Sequence, residues 1–495
     1  VKYETVIGLE VHVQLQTNSK MFCSCRADYQ NAPANQRVCP VCLGLPGTLP
    51  VINRKAVEYT IMTGLALDCQ IPEYTKFDRK NYPYPDLMKG YQISQYDLPL
   101  ALEGHLDIHV DGEESRIGIE RVHLEEDVAK LHHHPSTGGE SYSLVDVNRA
   151  GVPLMEVVSK PDMRSPEQAR AYLTTLHSIL QYLNVSTANM QDGSFRCDAN
   201  ISLRPVGASE LGTKAEVKNM NSFRGVFMAL KHEEIRQRKI LEDGGRVIQE
   251  TRGWSEARNA TFSQRSKESA HDYRYFPEPD LPPLTIDQDW VEEIRGRLPE
   301  LAGHRGSRFM KEYRLPEYDA ALLTSSKAMA DFYEDAMAGS SEARSFESKE
   351  AGEILAKNIS NWMLGDLSRL LNLENLEITQ SRVTPGHLVE LIGLVNAGEI
   401  NNSTAKTVLE NVFNTGSSPG TIVKEKGYAQ IDDSSVLGSA VAQAIEDNPK
   451  AVDDYRNGKD GAAGFLVGQV MKITKGQAKP DLVNRLVKDG LEALR

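Results

Sequence analysis

The chain has 495 residues, 56 lysines and arginines against 69 aspartates and glutamates, and a formal charge of −13. That length exceeds one ordinary core and predicts about three domains, while 40% hydrophobic and 25% charged residues exclude wholesale disorder. The acidic balance excludes indiscriminate polyanion binding, and no apolar run approaches the ~20 residues that span a bilayer.

The first element is VIGLEVHVQLQT, residues 6 to 17. Its two-residue alternation predicts a half-buried strand with Ile7, Leu9, Val11, Val13 and Leu15 on one side and Glu10, His12, Gln14 and Gln16 on the other. Taken alone, the polar edge fits either a solvated face or a site. Next come Cys23-x-Cys25 and Cys39-Pro-Val-Cys42, four of the six cysteines. Two short turns of this spacing predict a closed, structural zinc knuckle at 23–42. Cys69 and Cys197 stand apart and read as small core residues. With so few cysteines and no leader at the start, the expectation is a soluble protein of a reducing compartment, cytoplasmic or in an organelle's stroma or matrix.

Further alternating segments lie near 117–127, 143–148, 195–204 and 214–220. IERVHLEED aligns Arg121, His123 and Glu125 and places Glu126 and Asp127 beside them; SLVDVNR aligns Asp146 with Asn148. Glu156 stands in the apolar run LMEVV. GSFRCDANISLR carries Arg196, Asp198, Asn200, Ser202 and Arg204 on one face, and GTKAEVK carries Lys214, Glu216 and Lys218. His132, His133 and His134 precede PSTGG and read as a solvated loop. The proline-rich HDYRYFPEPDLPPL, residues 271 to 284, marks the end of a strand-rich region.

Beyond it, apolar residues recur at three- and four-residue intervals, as in Leu355, Ile359, Trp362, Met363, Leu367 and Leu370. Thr384-Pro385-Gly386 predicts a capped helix start, with a stop at Gly398. Another helix is expected from Asn402 or Ser403 to the loop NTGSSPG, 414–420. The expected architecture is α+β: an antiparallel-sheet domain at 1–290, an all-α middle domain at 291–407 and a small all-α tail at 408–495. Residues 450–495 carry nine basic against six acidic side chains, and GKDGAAGFLVGQVMK puts glycines at a helix start, where bare N–H groups can meet phosphates.

Several strands with one apolar and one mixed acid/base face predict a polar concavity. Crowded carboxylates repel unless a cation shares them, and magnesium, with its oxygen ligands and its habit of binding nucleotide phosphates, fits such a face. Arg79, Lys80, Arg196 and Lys218 can neutralise a transferring phosphoryl group. P-loop, Rossmann and lipase-type nucleophile motifs are absent. Read in this way, the face suits Mg²⁺ with a nucleotide.

IGLEVHVQL, CPVCLGLPGTLP, DRKNYPYPDLMKGYQISQ, RVHLEEDVAK, VDVNRAGVPLMEVVS, QDGSFRCDANIS, KAEVKNMNSFR and HDYRYFPEPDLPPL together resemble the B subunits of tRNA-dependent amidotransferases. The likeness extends into the helical end from about Phe346. It implies a glutamine-synthetase-like cradle with a curved antiparallel sheet. It also implies an ATP- and Mg²⁺-dependent activity that phosphorylates the side-chain carboxylate of Glu-tRNA(Gln) or Asp-tRNA(Asn), after which ammonia displaces the phosphate. By this likeness Glu10, His12, Glu125 and Glu156 are magnesium ligands or their close neighbours. Asp192 and Glu216 lie at a second cation or the nucleotide, with Arg79 and Asp198 beside it. Glu10, His12, Glu125, Lys80, Arg196 and Lys218 carry the chemistry. Ammonia is expected from an amidase (glutaminase) partner, strapped by a small third polypeptide into a heterotrimer, since neither lone cysteine sits in a glutaminase motif. The tail is expected to contact the tRNA, and no membrane is involved. Two other readings are a stand-alone ligase acting on a small acid and a zinc-containing RNA-binding module.

Overall fold

Strand β1 (Tyr3–Gln14) realises the opening alternation: Ile7, Leu9, Val11 and Val13 are buried, while Glu10 and His12 stand half-buried on the other face. Each buried aliphatic side chain contributes roughly 1.5–3 kcal/mol, so a one-residue slip that turned this row outward is strongly disfavoured. The computed structural model describes residues 1–134, 141–266, 273–339, 349–428, 434–456, 459, 461–474 and 478–492. They divide into two units, 1–301 and 302–495.

In the first unit, β1 lies inside an eight-stranded sheet with β2 (Ala101–Val110), β3 (Glu113–Glu126), β4 (Pro153–Ser159), β5 (Phe195–Pro205), β6 (Ala215–Lys218), β7 (Glu250–Ser255) and β8 (Ala260–Ser266). The strand order is β8-β7-β6-β5-β1-β4-β3-β2. All neighbours are antiparallel except β6 and β7. That parallel pair needs a crossover, and helix α3 (Phe223–Glu242) supplies it. Helices α1 (Arg54–Ala66), α2 (Pro166–Tyr182) and α3 start at Asn53, Ser165 and Ser222, whose side chains accept hydrogen bonds from first-turn N–H groups. Leu173, Leu176, Val226 and Leu230 of these helices share one core with Ile7, Val11, Cys197 and Ile201. The helices therefore cover the apolar face, and the polar face remains on the other side. Cys69 and Cys197 are buried as expected.

Two segments differ from expectation. His132, His133 and His134 belong to a strand, Lys130–His134, that pairs with Tyr142–Asp146; the PSTGG segment after it lies outside the described residues. Asp146 and Asn148 also leave the polar face. Asp146 Oδ1 accepts from the Asn35 and Asn148 N–H groups, and Asn148 Oδ1 from that of Arg37, so both tie down the cysteine loop.

The second unit is helical. Leu355, Ile359, Met363, Leu367 and Leu370 are buried, and a π-helical turn at Met363–Leu367 keeps them on one side. Thr384 caps the helix Pro385–Asn396, accepting from the His387 N–H at 3.2 Å, and Gly398 follows with φ +70°. The next helix is Asn402–Thr415. The 407/408 division falls inside it, and Val408, Leu409 and Val412 join the core that holds Leu355 and Leu388. A separate core contains Leu437, Leu466, Val470 and Val487. No described helix is long and apolar enough to cross a membrane.

Candidate active site and metal centres

Cross-strand register assembles the polar face. Glu10 pairs with Asp198 of β5, His12 with Glu156 of β4, Glu156 in turn with His123 of β3, and Asn200 of β5 with Glu216 of β6. Five neighbouring strands thus bring together acids and imidazoles that are far apart in the chain. Two groups of possible ligand atoms result, each within 4.8 Å: His12, Glu125 and Glu156, and Glu10, Asp198 and Glu216.

In the first group His12 Nε2 lies 3.8 Å from both Glu125 Oε1 and Glu156 Oε2, and His123 Nε2 lies 3.0 Å from Glu156 Oε2. Burial opposes ionisation of Glu156, yet His12, His123 and Lys80 hold its carboxyl well below the usual range. In the second group the balance is reversed. Burial, and then Glu156 and Asp198, push the Glu10 carboxyl upward. Asn200 Nδ2 donates to Glu10 Oε1 at 3.0 Å, and Thr251 Oγ1 to Glu216 Oε2 at 2.8 Å, which orients one oxygen of each acid. Crowded carboxylates of this kind fit hard divalent cations that take oxygen ligands.

Three cations border the acids. Lys218 pairs with Asp198 and lies 3.1 Å from Glu216; Arg196 donates to Asp127 Oδ2 at 3.1 Å. Burial opposes the charge on Lys80, but the Glu125 and Glu156 carboxylates more than offset it, raising its pKa. A groove of about 210 Å³ continues from Glu10 past Gly8, Asn200, Ser202 and Lys214.

Two expected residues lie elsewhere. Arg79, next to Lys80 on the strand Asp78–Asn81, faces the other way: its Nε and Nη2 grip buried Glu278 at 2.7 and 2.8 Å, and its guanidinium covers the Tyr91 ring. Asp192 is exposed and closes a turn, Oδ1 accepting from the Ser194 N–H at 2.9 Å. Conversely, His123, Asn200 and Thr251 belong to the face although the expected site set does not include them. Alternation with Glu125 and Asp198 gives the signal for the first two. Thr251 has none, because only the β6–β7 pairing brings it to Glu216.

The four thiols converge as well, all within 4.8 Å. Cys42 Sγ lies 3.8 Å from Cys25 Sγ and 3.6 Å from Cys39 Sγ, and accepts from the Cys39 N–H at 3.1 Å. A hydrogen bond from Cys23 lowers the Cys42 thiol to about 4 against burial, with the Lys20 ammonium adding to it. A closed S₄ set of this sort suits tetrahedral zinc.

Matches to known proteins cover most of the chain. Residues 5–292 match the GatB/GatE catalytic domain, and residues 345–491 match the GatB domain. The chain belongs to the GatB/GatE family. This GatB/GatE protein is 58% identical over 493 residues to the B subunit of the aspartyl/glutamyl-tRNA(Asn/Gln) amidotransferase of Dehalococcoides mccartyi, covering 99% of each chain. The equally named B subunits of Carboxydothermus hydrogenoformans and Caldicellulosiruptor saccharolyticus are 54% identical over 493 and 497 residues, with 100% of both chains covered in each case. The carboxylate face lies entirely within the matched catalytic domain, and the family's second domain accounts for most of the helical unit.

Proposed function

We propose that this chain is the component of an Asp/Glu-tRNA(Asn/Gln) amidotransferase that activates the carboxylate of the misacylated amino acid with ATP and amidates it. The observation that carries this reading is the row His12, Glu156, Glu125 beside Glu10, Asp198, Glu216, bordered by Lys80, Lys218 and Arg196. Full-length likeness to amidotransferase B subunits favours neither a stand-alone ligase nor a zinc-containing RNA-binding module.

A carboxylate is a poor acyl donor because its leaving group would be oxide. Its oxygen attacks the γ-phosphorus, the bond to the β–γ bridging oxygen breaks, and ADP leaves. Ammonia then attacks the acyl carbon; the bond to the phosphate oxygen breaks, phosphate departs with one former carboxylate oxygen, and nitrogen loses a proton. His12, Glu125 and Glu156, and Glu10, Asp198 and Glu216, would hold magnesium, which would supply the charge neutralisation that lets two anions meet. Lys80, Lys218 and Arg196 hold the phosphoryl oxygens and the substrate carboxylate between them, in fixed positions that require no reorganisation. The groove lined by Gly8, Asn200, Ser202 and Lys214, with Pro161 packed over Gly8, takes the nucleotide.

The fold carrying this face is read as a glutamine-synthetase-like cradle ending near residue 290, followed by helical domains whose basic tail contacts the tRNA. A structural zinc at Cys23, Cys25, Cys39 and Cys42 staples the loop beside β1. Ammonia comes from an amidase partner with glutaminase activity, and a small third polypeptide completes a heterotrimer. The test is amidation by the reconstituted complex with ATP, Mg²⁺, glutamine and Glu-tRNA(Gln). Gln-tRNA(Gln) is expected, with product lost and glutaminase activity kept in His12→Ala. Equal amidation of free glutamate, or no product from the wild-type complex, would refute the reading.

A further inference from the structure

Beside Lys80 stands a group of tyrosines that the chemistry above does not use. Lys80 Nζ lies 5.0 Å from the Tyr273 ring centroid and 5.8 Å from that of Tyr82. Tyr273 meets Tyr275 edge-on at 6.1 Å, and Tyr275 lies flat against Tyr96, with centroids 4.3 Å apart and planes 7° from parallel. Tyr275 also lies in the field of Lys80, Glu125 and Glu156. These rings form a continuous track from the carboxylate face to Tyr96, which is 59% exposed.

The track is rigidly held. The Asn81 N–H donates to the Tyr273 carbonyl at 2.9 Å, Asn81 Nδ2 to the Arg274 carbonyl at 2.8 Å, and the Tyr96 N–H to buried Asp78 at 3.2 Å. Arg274, between the two tyrosines, adopts φ +46°, a conformation that non-glycine residues adopt only when their surroundings enforce it. A large phenol left mostly exposed at the end of such a fixed stack is out of place in a core and suited to stacking on a flat partner.

We propose that Tyr96 and Tyr275 form the platform on which the unpaired nucleotides at the aminoacylated end of the RNA substrate stack. The inference rests on the function proposed above and adds a binding site to it. Only an amino-acid side chain and one ester separate the activated carboxylate from the terminal ribose. The unpaired bases must therefore leave the site along its rim, where the tyrosine track runs. Stacking accepts any base, because every base has a π-face. The tyrosines thus position the RNA end irrespective of its sequence, while the reacting carboxylate is held by the acids and lysines.

The test uses the assembled amidotransferase and Glu-tRNA(Gln) carrying a fluorescent base analogue at an unpaired position next to the 3′ end. Wild type and Tyr96→Phe are expected to change the analogue's fluorescence on binding and to share one KM. Tyr96→Ala is expected to lose that change and to raise KM for the tRNA about tenfold, with kcat within about twofold, in the range that base–aromatic stacking contributes. An unchanged KM in Tyr96→Ala overturns the proposal, as does a lower kcat and melting temperature with KM unmoved, which marks a structural tyrosine. A raised KM without any fluorescence change in wild type also overturns it, because the ring then contacts something other than the base. Failure of the wild-type complex to amidate Glu-tRNA(Gln) is a separate result that removes the functional reading and the platform together.

Discussion

Two acids on opposite faces of the sheet, Glu233 and Glu10, are balanced in different ways. On the helix-covered face, Glu233 of α3 is wholly buried, and Arg236 and Arg252 contact its oxygens at 2.8 to 2.9 Å, with Gln237 and Thr261 donating as well. Those partners hold its carboxyl below the ordinary range although burial opposes them. On the polar face, Glu10 has a neutral amide as its hydrogen-bond partner and further carboxylates around it, and its pKa is raised. The difference separates the roles of the two residues. Glu233, which the chain neutralises itself, locks strands to a helix, while Glu10, left among further carboxylates, fits an external cation and a phosphorylated substrate.

The largest effect is expected at His12, Glu125 and Glu156. Glu156→Gln or His12→Ala should lower amidation by about 10²–10³-fold or more, as measured by Gln-tRNA formation, with glutaminase activity of the complex retained. Glu10→Gln should weaken Mn²⁺ binding, read by calorimetry, by about 10–100-fold. Adjacent residues should then separate cleanly. Lys80→Ala is expected to cost about 100-fold in kcat with little change in melting temperature. Arg79→Ala strands buried Glu278 and is expected to cost about 3 kcal/mol of stability with kcat within a few-fold.

Glu233→Gln should likewise cost about 3 kcal/mol at pH 7 by denaturant unfolding, without a first-order effect on amidation. Its pH dependence has a definite sign. Because the folded-state pKa is depressed, the stabilisation from Glu233 is complete above its unfolded value near 4.5 and is lost as pH falls through the lower folded value. The variant should therefore lose less stability than wild type below about pH 4.5. The smallest effect is expected for Asp192→Ala, which removes one turn hydrogen bond; a loss under about 1 kcal/mol and unchanged amidation would place this residue outside the chemistry.

Much of the polar face is legible in the sequence because strand alternation is local: Glu10 and His12, His123 and Glu125, Asp198 and Asn200 each declare a shared face within a few residues. What alternation cannot give is which strands are neighbours. The family likeness names Glu10, His12, Glu125 and Glu156 together, and the pairing of β1 with β5 adds that the ligand atoms of Asp198 and Glu216 are those within 4.8 Å of Glu10. Arg79 and Lys80 show the same limit. Being adjacent, they must face opposite ways, but only the packing of Glu278 decides which one turns from the acids. Asp192 is named by the family likeness alone; alternation does not reach it, because it stands in a turn with its Oδ1 accepting from the Ser194 N–H. The thiol knuckle is the clearest feature, since four cysteines within about twenty residues have few ways to converge.

The central claim is that the acidic face joins the side-chain carboxylate of the aminoacyl-tRNA to the γ-phosphoryl group of ATP before nitrogen arrives. It is tested most directly with Glu-tRNA(Gln) whose side-chain carboxylate is labelled with oxygen-18, amidated by the wild-type complex, with the released phosphate analysed by mass spectrometry. One labelled oxygen is expected in each phosphate released. Unlabelled phosphate accompanying full conversion to Gln-tRNA(Gln) would contradict it.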